Sequence, residues 1–276
     1  MKPAPFDYVR TDALEEVLSV LAQEGGSARI IAGGQTLVPM LAMRLARPSV
    51  LIDVMGIREL RGIIQSGGRL TVQAGVRQQV LLGHSGLQKL VPLLAMGLPW
   101  VGHAQTRSRG TICGSVAHAD PSAEIPLILV ALDGSIDLRS RRRRRSIPAA
   151  DFFTGMMTTA RAEDEVIEAV AFPMREPGSG YSFSEFGRRH GDFAICACAA
   201  IASASGIRLA VGGVAERPTL LELPALIDGS ALDDALDQFA WNLDARDDVH
   251  ATARYRRDLV RQMGRNAVME ARKCRG

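Results

Sequence analysis

The chain has 276 residues, 47% of them hydrophobic, and a formal net charge of +3. That length allows one large domain or two ordinary ones with a sizeable core, and the near-balanced charge argues neither for nor against a nucleic-acid partner. Its cysteines, Cys113, Cys196, Cys198 and Cys274, form no C-x-x-C pair and no metal-ligand spacing, so a reduced cytoplasmic setting and no bound metal are expected. The N-terminal residues 1–6 lack the apolar core of a signal peptide, and the longest apolar run, 194–202, is too short to cross a bilayer.

In chain order, Asp12 can cap a first helix with Glu15 completing a capping box, and Leu14, Val17, Leu18 and Leu21 fall on one face. A strand over 28–32 ends at Gly33-Gly34, a short helix covers 36–44, and 50–54 reads as a buried strand. Ile63-Ile64 and Leu70-Thr71-Val72 flank Gly67-Gly68 as a hairpin, and 77–98 reads as helical. A helix over 122–132 and strands at 136–138 and 166–172 follow. The arginine run 141–145 lies between Leu138 and Ile147 and reads as a solvated hairpin tip; the sharper reading is a docking patch for an acidic partner. No aromatic platform accompanies it, which argues against nucleic acid. Residues 173–180 are rich in Pro, Gly and charge and mark a domain boundary. Beyond it, three strands (181–187, 193–203, 207–213) and two helices (231–242, 251–272) are expected. The order is α+β twice over.

Two glycine-centred segments carry the chemistry. Ala32-Gly33-Gly34-Gln35-Thr36 follows directly on a strand, and Thr111-Ile112-Cys113-Gly114-Ser115 is followed by Ala119-Asp120-Pro121. Each offers small residues, consecutive N–H groups and a hydroxyl, as needed to bring main chain close to a phosphate. Together they point to a diphosphate held from two sides, as in a dinucleotide. A Gly-Gly turn after a strand is by itself usually only a turn. The G-x-G-x-x-G spacing of a Rossmann turn is missing, which argues against NAD. Arg107 and Arg109 could neutralise a pyrophosphate or serve a surface role. Asp120 and Pro121 suit the cap and first turn of the next helix. Cys196 and Cys198 share one face of a strand as buried thiols.

The segment from Ile31 to Pro39 resembles the AGG-Q/H-S-L-x-P loop of the FAD-binding medium subunits of molybdenum hydroxylases, the carbon monoxide, quinoline, nicotine and xanthine dehydrogenase group. Arg109-Gly110-Thr111-Ile112-Cys113-Gly114-Ser115 with His118-Ala119-Asp120-Pro121 resembles their second loop, usually RGTIGG…ADP. Pro148-Ala149-Ala150-Asp151-Phe152-Phe153 and Gly191-Asp192-Phe193-Ala194-Ile195 match two further segments. The resemblance implies a two-lobed PCMH-type FAD-binding domain (1–176) and a smaller α+β C-terminal domain (177–276) with a three-stranded sheet plus helices. It implies that Ala32, Gly33, Gly34, Gln35, Thr36 and Leu37, with Thr111, Ile112, Cys113, Gly114 and Ser115, clasp the FAD diphosphate. Asp120 and Glu124 fall at further cofactor contacts, and Phe193 lies near the isoalloxazine ring. Two residues depart from the pattern: Cys113 stands for a glycine, and Phe193 for a frequent tyrosine.

The same resemblance implies an electron-transfer role with no catalytic acid, base or nucleophile on this chain. Molybdopterin belongs to a large subunit and [2Fe–2S] clusters to a small one. The large subunit hydroxylates an N-heteroaromatic or similar small molecule, and the flavin passes electrons to an external acceptor. A self-contained FAD oxidoreductase is the runner-up, and an assembly subunit that has lost flavin a third reading.

Overall fold

The computed structural model describes residues 2–275. It opens with β1 (Asp7–Arg10), α1 (Leu14–Glu24), β2 (Ala28–Ile31), α2 (Leu37–Ala42) and β3 (Val50–Asp53). The strands form a parallel sheet in the order β1-β3-β2. α1 buries Leu14, Val17, Leu18 and Leu21 in one core with Val50 and Ile52 of β3. The capping box does not form. Ala13 is the N-cap, its N–H donates to Thr11 Oγ1 at 3.0 Å, and Glu15 pairs with Arg139 instead. β1 escapes sequence reading because most of its residues are exposed and supply no apolar run.

The second lobe runs through β4 (Ile63–Ser66), β5 (Arg69–Gln73), α3 (Gln78–Leu82), α4 (Leu87–Leu90), α5 (Pro92–Gly97), α6 (Ala104–Arg109), α7 (Ile112–His118) and α8 (Glu124–Ala131). It continues with β6 (Ser135–Arg139), β7 (Arg144–Pro148), α9 (Ala149–Phe152), β8 (Phe153–Gly155), β9 (Thr158–Thr159) and β10 (Val166–Pro173). Five of these strands make an antiparallel sheet in the order β4-β5-β10-β6-β7. The segment 77–98 is three short helices rather than one. Gly83 is the C-cap of α3, and Pro92 opens α5, where its missing N–H forfeits no helical bond. Every residue of α8 is buried, as expected for a helix apolar all round.

The arginine run is only partly a solvated tip. Arg144 and Arg145 belong to β7, and Arg145 donates to both carboxylate oxygens of the fully buried Glu165 at 2.7 and 2.6 Å. Arg143 lies 3.4 Å from the same carboxylate and Arg144 3.4 Å from Glu168.

The C-terminal part contains β11 (Gly180–Phe186), β12 (Cys196–Ala202), β13 (Ile207–Gly212), β14 (Thr219–Leu223), α10 (Gly229–Asn242) and α11 (Ala253–Lys273). Its sheet has four antiparallel strands in sequence order, one more than expected. β14 is a half-exposed edge whose Thr-Leu-Leu-Glu-Leu run lacks two-residue alternation. β12 is built almost wholly of Ala and Cys and is covered on both faces. Ala197 and Ala199 join the core of the first two lobes, whereas Cys196, Cys198 and Ala200 join the core under α10 and α11. No helix among the described residues is long and apolar enough to cross a membrane.

Candidate cofactor site

The first glycine segment links the end of β2 to α2. Gly34 has φ +71°, a left-handed conformation that costs other residues strain. Gly33 serves a different purpose. A Cβ built on it would lie 2.6 Å from Gly110 Cα, so the backbone at Gly33 rests directly on the backbone that leads into the second segment. Among the described residues, none accepts a hydrogen bond from the backbone N–H of Gly33, Gly34, Gln35 or Thr36. Ala32 and Leu37 flank this row of donors and are half-buried.

The second segment is the first turn of a helix rather than a free loop. Thr111 is the N-cap of α7, and its Oγ1 accepts the Gly114 N–H at 3.0 Å. Ile112 and Cys113 point inward and are buried; Gly114 is exposed and Ser115 half-buried. The Cys113 thiol lies 3.6 Å from Val72 O, and burial pushes its pKa well up. Cys113 is helical, so the positive-φ strain that a cysteine in place of glycine could bring is absent. Gln78, which sequence reading did not single out, holds this segment from beneath: its N–H donates to Gly110 O at 2.8 Å and its side chain to Thr111 O at 3.5 Å.

At 1.5 Å per residue, α7 carries the chain about 10 Å from this contact to Asp120. Ala119 closes the helix at φ +53°. Asp120 Oδ1 then accepts the Ser122 N–H at 2.8 Å; the N-cap of α8 is Ala123, so Asp120 is not that cap. Asp120 faces a cleft of about 400 Å³ whose walls include Ser122, Gly191, Asp192 and Phe193, together with Arg246, Asp248, His250 and Arg256 from the strap after α10 and the start of α11. Of the residues expected to contact cofactor, Asp120 and Phe193 line this cleft. Phe193 is 70% exposed at its edge. Gly191, at φ +89°, leaves room for His103: a Cβ there would lie 2.6 Å from the imidazole Nδ1. The next ring along, His190, stacks on Trp100 at 5.0 Å between centroids. The turn carrying Phe193 is thereby tied to the second lobe.

Other candidates fall elsewhere. Arg107 is committed to the interior, where its Nη1 donates to Pro99 O, Val101 O and Gly102 O at 3.2, 3.0 and 2.9 Å, so it is not free for a pyrophosphate. Glu124 is buried at the start of α8, outside the lining of the cleft. Burial pushes its pKa to about 7, and burial followed by the charge of Glu124 pushes Glu185 to about 8. The strap residues Arg246, Asp248 and His250 gave no signal in the sequence, since only the fold brings them to Asp120.

The donor set suits a dinucleotide diphosphate. A row of unspent N–H groups, a left-handed glycine and a backbone packed too tightly for any side chain meet at the start of α7, and the cleft lined by Asp120 and Phe193 lies at its far end. Residues 4–175 match the family described as the FAD binding domain in molybdopterin dehydrogenase, and residues 181–271 match the CO dehydrogenase flavoprotein C-terminal domain. The chain belongs to this family of flavoprotein subunits. It is 36% identical to subunit alpha of the 6-hydroxypseudooxynicotine dehydrogenase complex of Paenarthrobacter nicotinovorans, covering 98% of this chain and 96% of that one. It is 35% identical to the nicotine 6-hydroxylase medium subunit of the same organism, over 98% and 99%. Among solved structures, carbon monoxide dehydrogenase from Hydrogenophaga pseudoflava superposes with a TM-score of 0.94 at 31% identity, covering 100% of both chains. Quinoline 2-oxidoreductase from Pseudomonas putida 86 superposes at 0.92 with 35% identity, covering 99% of each.

Proposed function

We propose that this chain is the FAD-carrying electron-transfer subunit of a molybdenum hydroxylase, working beside a large molybdopterin subunit and a small [2Fe–2S] subunit. Bound FAD supplies the one- and two-electron redox chemistry. The protein's contribution is placement. The N–H groups over 33–36, joined by the Cys113 N–H and the Ser115 hydroxyl at the first turn of α7, take the diphosphate; Thr111 and Gly114 hold that turn through their own N-cap bond, and Ala32, Leu37 and Ile112 shape the backbone around it. Asp120 and Phe193 border the ring. Glu124, buried behind the cleft wall, is not among the contacts.

The observation that carries this reading is the meeting of Gly33 with Gly110 beside four unspent N–H donors. The named relatives are subunits of complexes, which favours this reading over a self-contained oxidoreductase. The names of two relatives, a nicotine 6-hydroxylase and a quinoline oxidoreductase, support an N-heteroaromatic substrate for the complex; in this reading the flavin hands its electrons to an external acceptor. The test is acid precipitation of the purified native complex, with chromatography of the supernatant and assay of iron and molybdenum. Release of FAD at one per copy of this chain, with both metals present, is the expected result. A complex with the metals and no FAD would defeat it.

A further inference from the structure

The cleft is framed by a buried arginine that no sequence motif announced. Arg256 lies in the first turn of α11 at 2% exposure. Its Nη1 donates to Ile195 O at 2.7 Å and Gly213 O at 2.6 Å, and its Nη2 donates to Asp248 Oδ2 at 2.6 Å. The three acceptors stand on three separate walls. Ile195 ends the turn that carries Gly191, Asp192 and Phe193. Gly213, at φ +80°, donates its own N–H to Pro121 O at 2.8 Å, immediately beside Asp120. Asp248 anchors the strap that brings Arg246 and His250 to the cleft, and it also accepts the N–H groups of His250 and Ala251 at 2.8 and 3.0 Å.

Packing alone does not call for a guanidinium here. Burying one is costly, and its Nε has no partner among the described residues. An apolar side chain would fill the volume without that cost. What an apolar side chain cannot do is hold two backbone carbonyls and a carboxylate at fixed mutual distance, which the planar fork of arginine does. Lysine carries the same charge as a single point and cannot reproduce the fork.

We infer that Arg256 is a positioning residue for the cofactor: its guanidinium sets the width of the cleft by joining the Phe193 turn, the Asp120 segment and the Asp248 strap around the flavin ring. This rests on the FAD reading above.

The test uses the native complex, stripped of flavin and titrated with FAD. It compares the parent with Arg256→Lys, Asp248→Asn and, as a destabilised variant remote from the cleft, Arg145→Met. Thermal unfolding reports stability; the dissociation constant for FAD and the visible circular dichroism of the bound flavin report the cleft. In Arg256→Lys and Asp248→Asn the dissociation constant should rise roughly tenfold, as for one charge-assisted bond lost from the frame, and the visible dichroism should change. Arg145→Met should unfold earlier yet keep the parent's constant and spectrum. Parent-like FAD affinity and dichroism in both cleft variants would overturn the inference, as would an equal loss of FAD in Arg145→Met. A parent complex that takes up no FAD at all would defeat the functional reading, and this inference with it.

Discussion

The two glycines of the first segment look alike in the sequence, and the structure separates their reasons. Gly34 is required by its backbone angle, Gly33 by the atoms opposite it. Gly34→Ala should therefore cost about 1–2 kcal/mol of left-handed strain and leave much of the FAD in place. Gly33→Ala should cost more, because its methyl group meets backbone at Gly110 that has no rotamer to yield. The flavin-to-protein ratio and the unfolding temperature of the two variants check this; an equal or larger loss for Gly34→Ala would contradict it. Cys113 shows the same limit of sequence reading. Its type suggested a departure in a loop, but its place is a helical, inward-facing position against Val72. Cys113→Gly, the residue usual in the resembled motif, should destabilise the chain by about 1 kcal/mol, chiefly through the packing lost with a buried side chain and by a few tenths through helix propensity, measured by urea unfolding.

Elements with a strong apolar period were legible: α1, the β4–β5 hairpin, β10 and α11 all lie where the pattern puts them. Elements defined by partners were not. β1 and β14 are mostly exposed or half-exposed, and 77–98 is broken by Gly83 and Pro92 into pieces too short to show a period of their own. The arginine hairpin illustrates what a charge run hides. Arg141 and Arg142 are exposed at the tip, while Arg145 neutralises a fully buried carboxylate. Arg141→Ser and Arg142→Ser should change stability by no more than about 0.5 kcal/mol, and Arg145→Met should cost about 3 kcal/mol by leaving the buried Glu165 with only the longer contact to the exposed Arg143 and the Ala162 N–H. Burial alone would raise the Glu165 pKa, but the guanidinium of Arg145 and the Ala162 N–H hold it below the ordinary range. Its contribution is therefore present above the unfolded pKa near 4.5 and is lost as pH falls through the lower folded value. Acid unfolding followed by circular dichroism should show a shallower acid limb in Arg145→Met.

At the scale of the whole molecule, the two glycine segments are legible in the sequence because each is a short local run. The cleft is legible only in part: the resemblance pointed to Asp120 and Phe193, but the strap at 246–250 joins them only after both parts have folded together. The same meeting buries carboxyls with an opposite pH signature. Glu124, raised from 4.5 to about 7, favours the folded state fully below pH 4.5 and progressively less as pH rises to about 7. Flavin-free protein should accordingly lose about 3 kcal/mol of stability from this group across that interval. Glu124→Gln should flatten the slope and be the more stable protein at pH 8 by about 2 kcal/mol, as judged by urea midpoints at pH 5 and pH 8. An unchanged slope in the variant would remove Glu124 as its source.

The strand of alanines and cysteines has a consequence for what a protease can do to this chain. The connection between the two parts is exposed from Arg175 to Gly178 and is the natural point for a cut. Yet Ala197 and Ala199 of β12, with Ala210 of β13, lie inside the same core as α8, and the Gly213 N–H is bonded to Pro121 across the join. A single cut there should produce two bands on a denaturing gel and one peak in gel filtration. The severed halves should stay together because each completes the other's interior, and neither should fold when expressed alone.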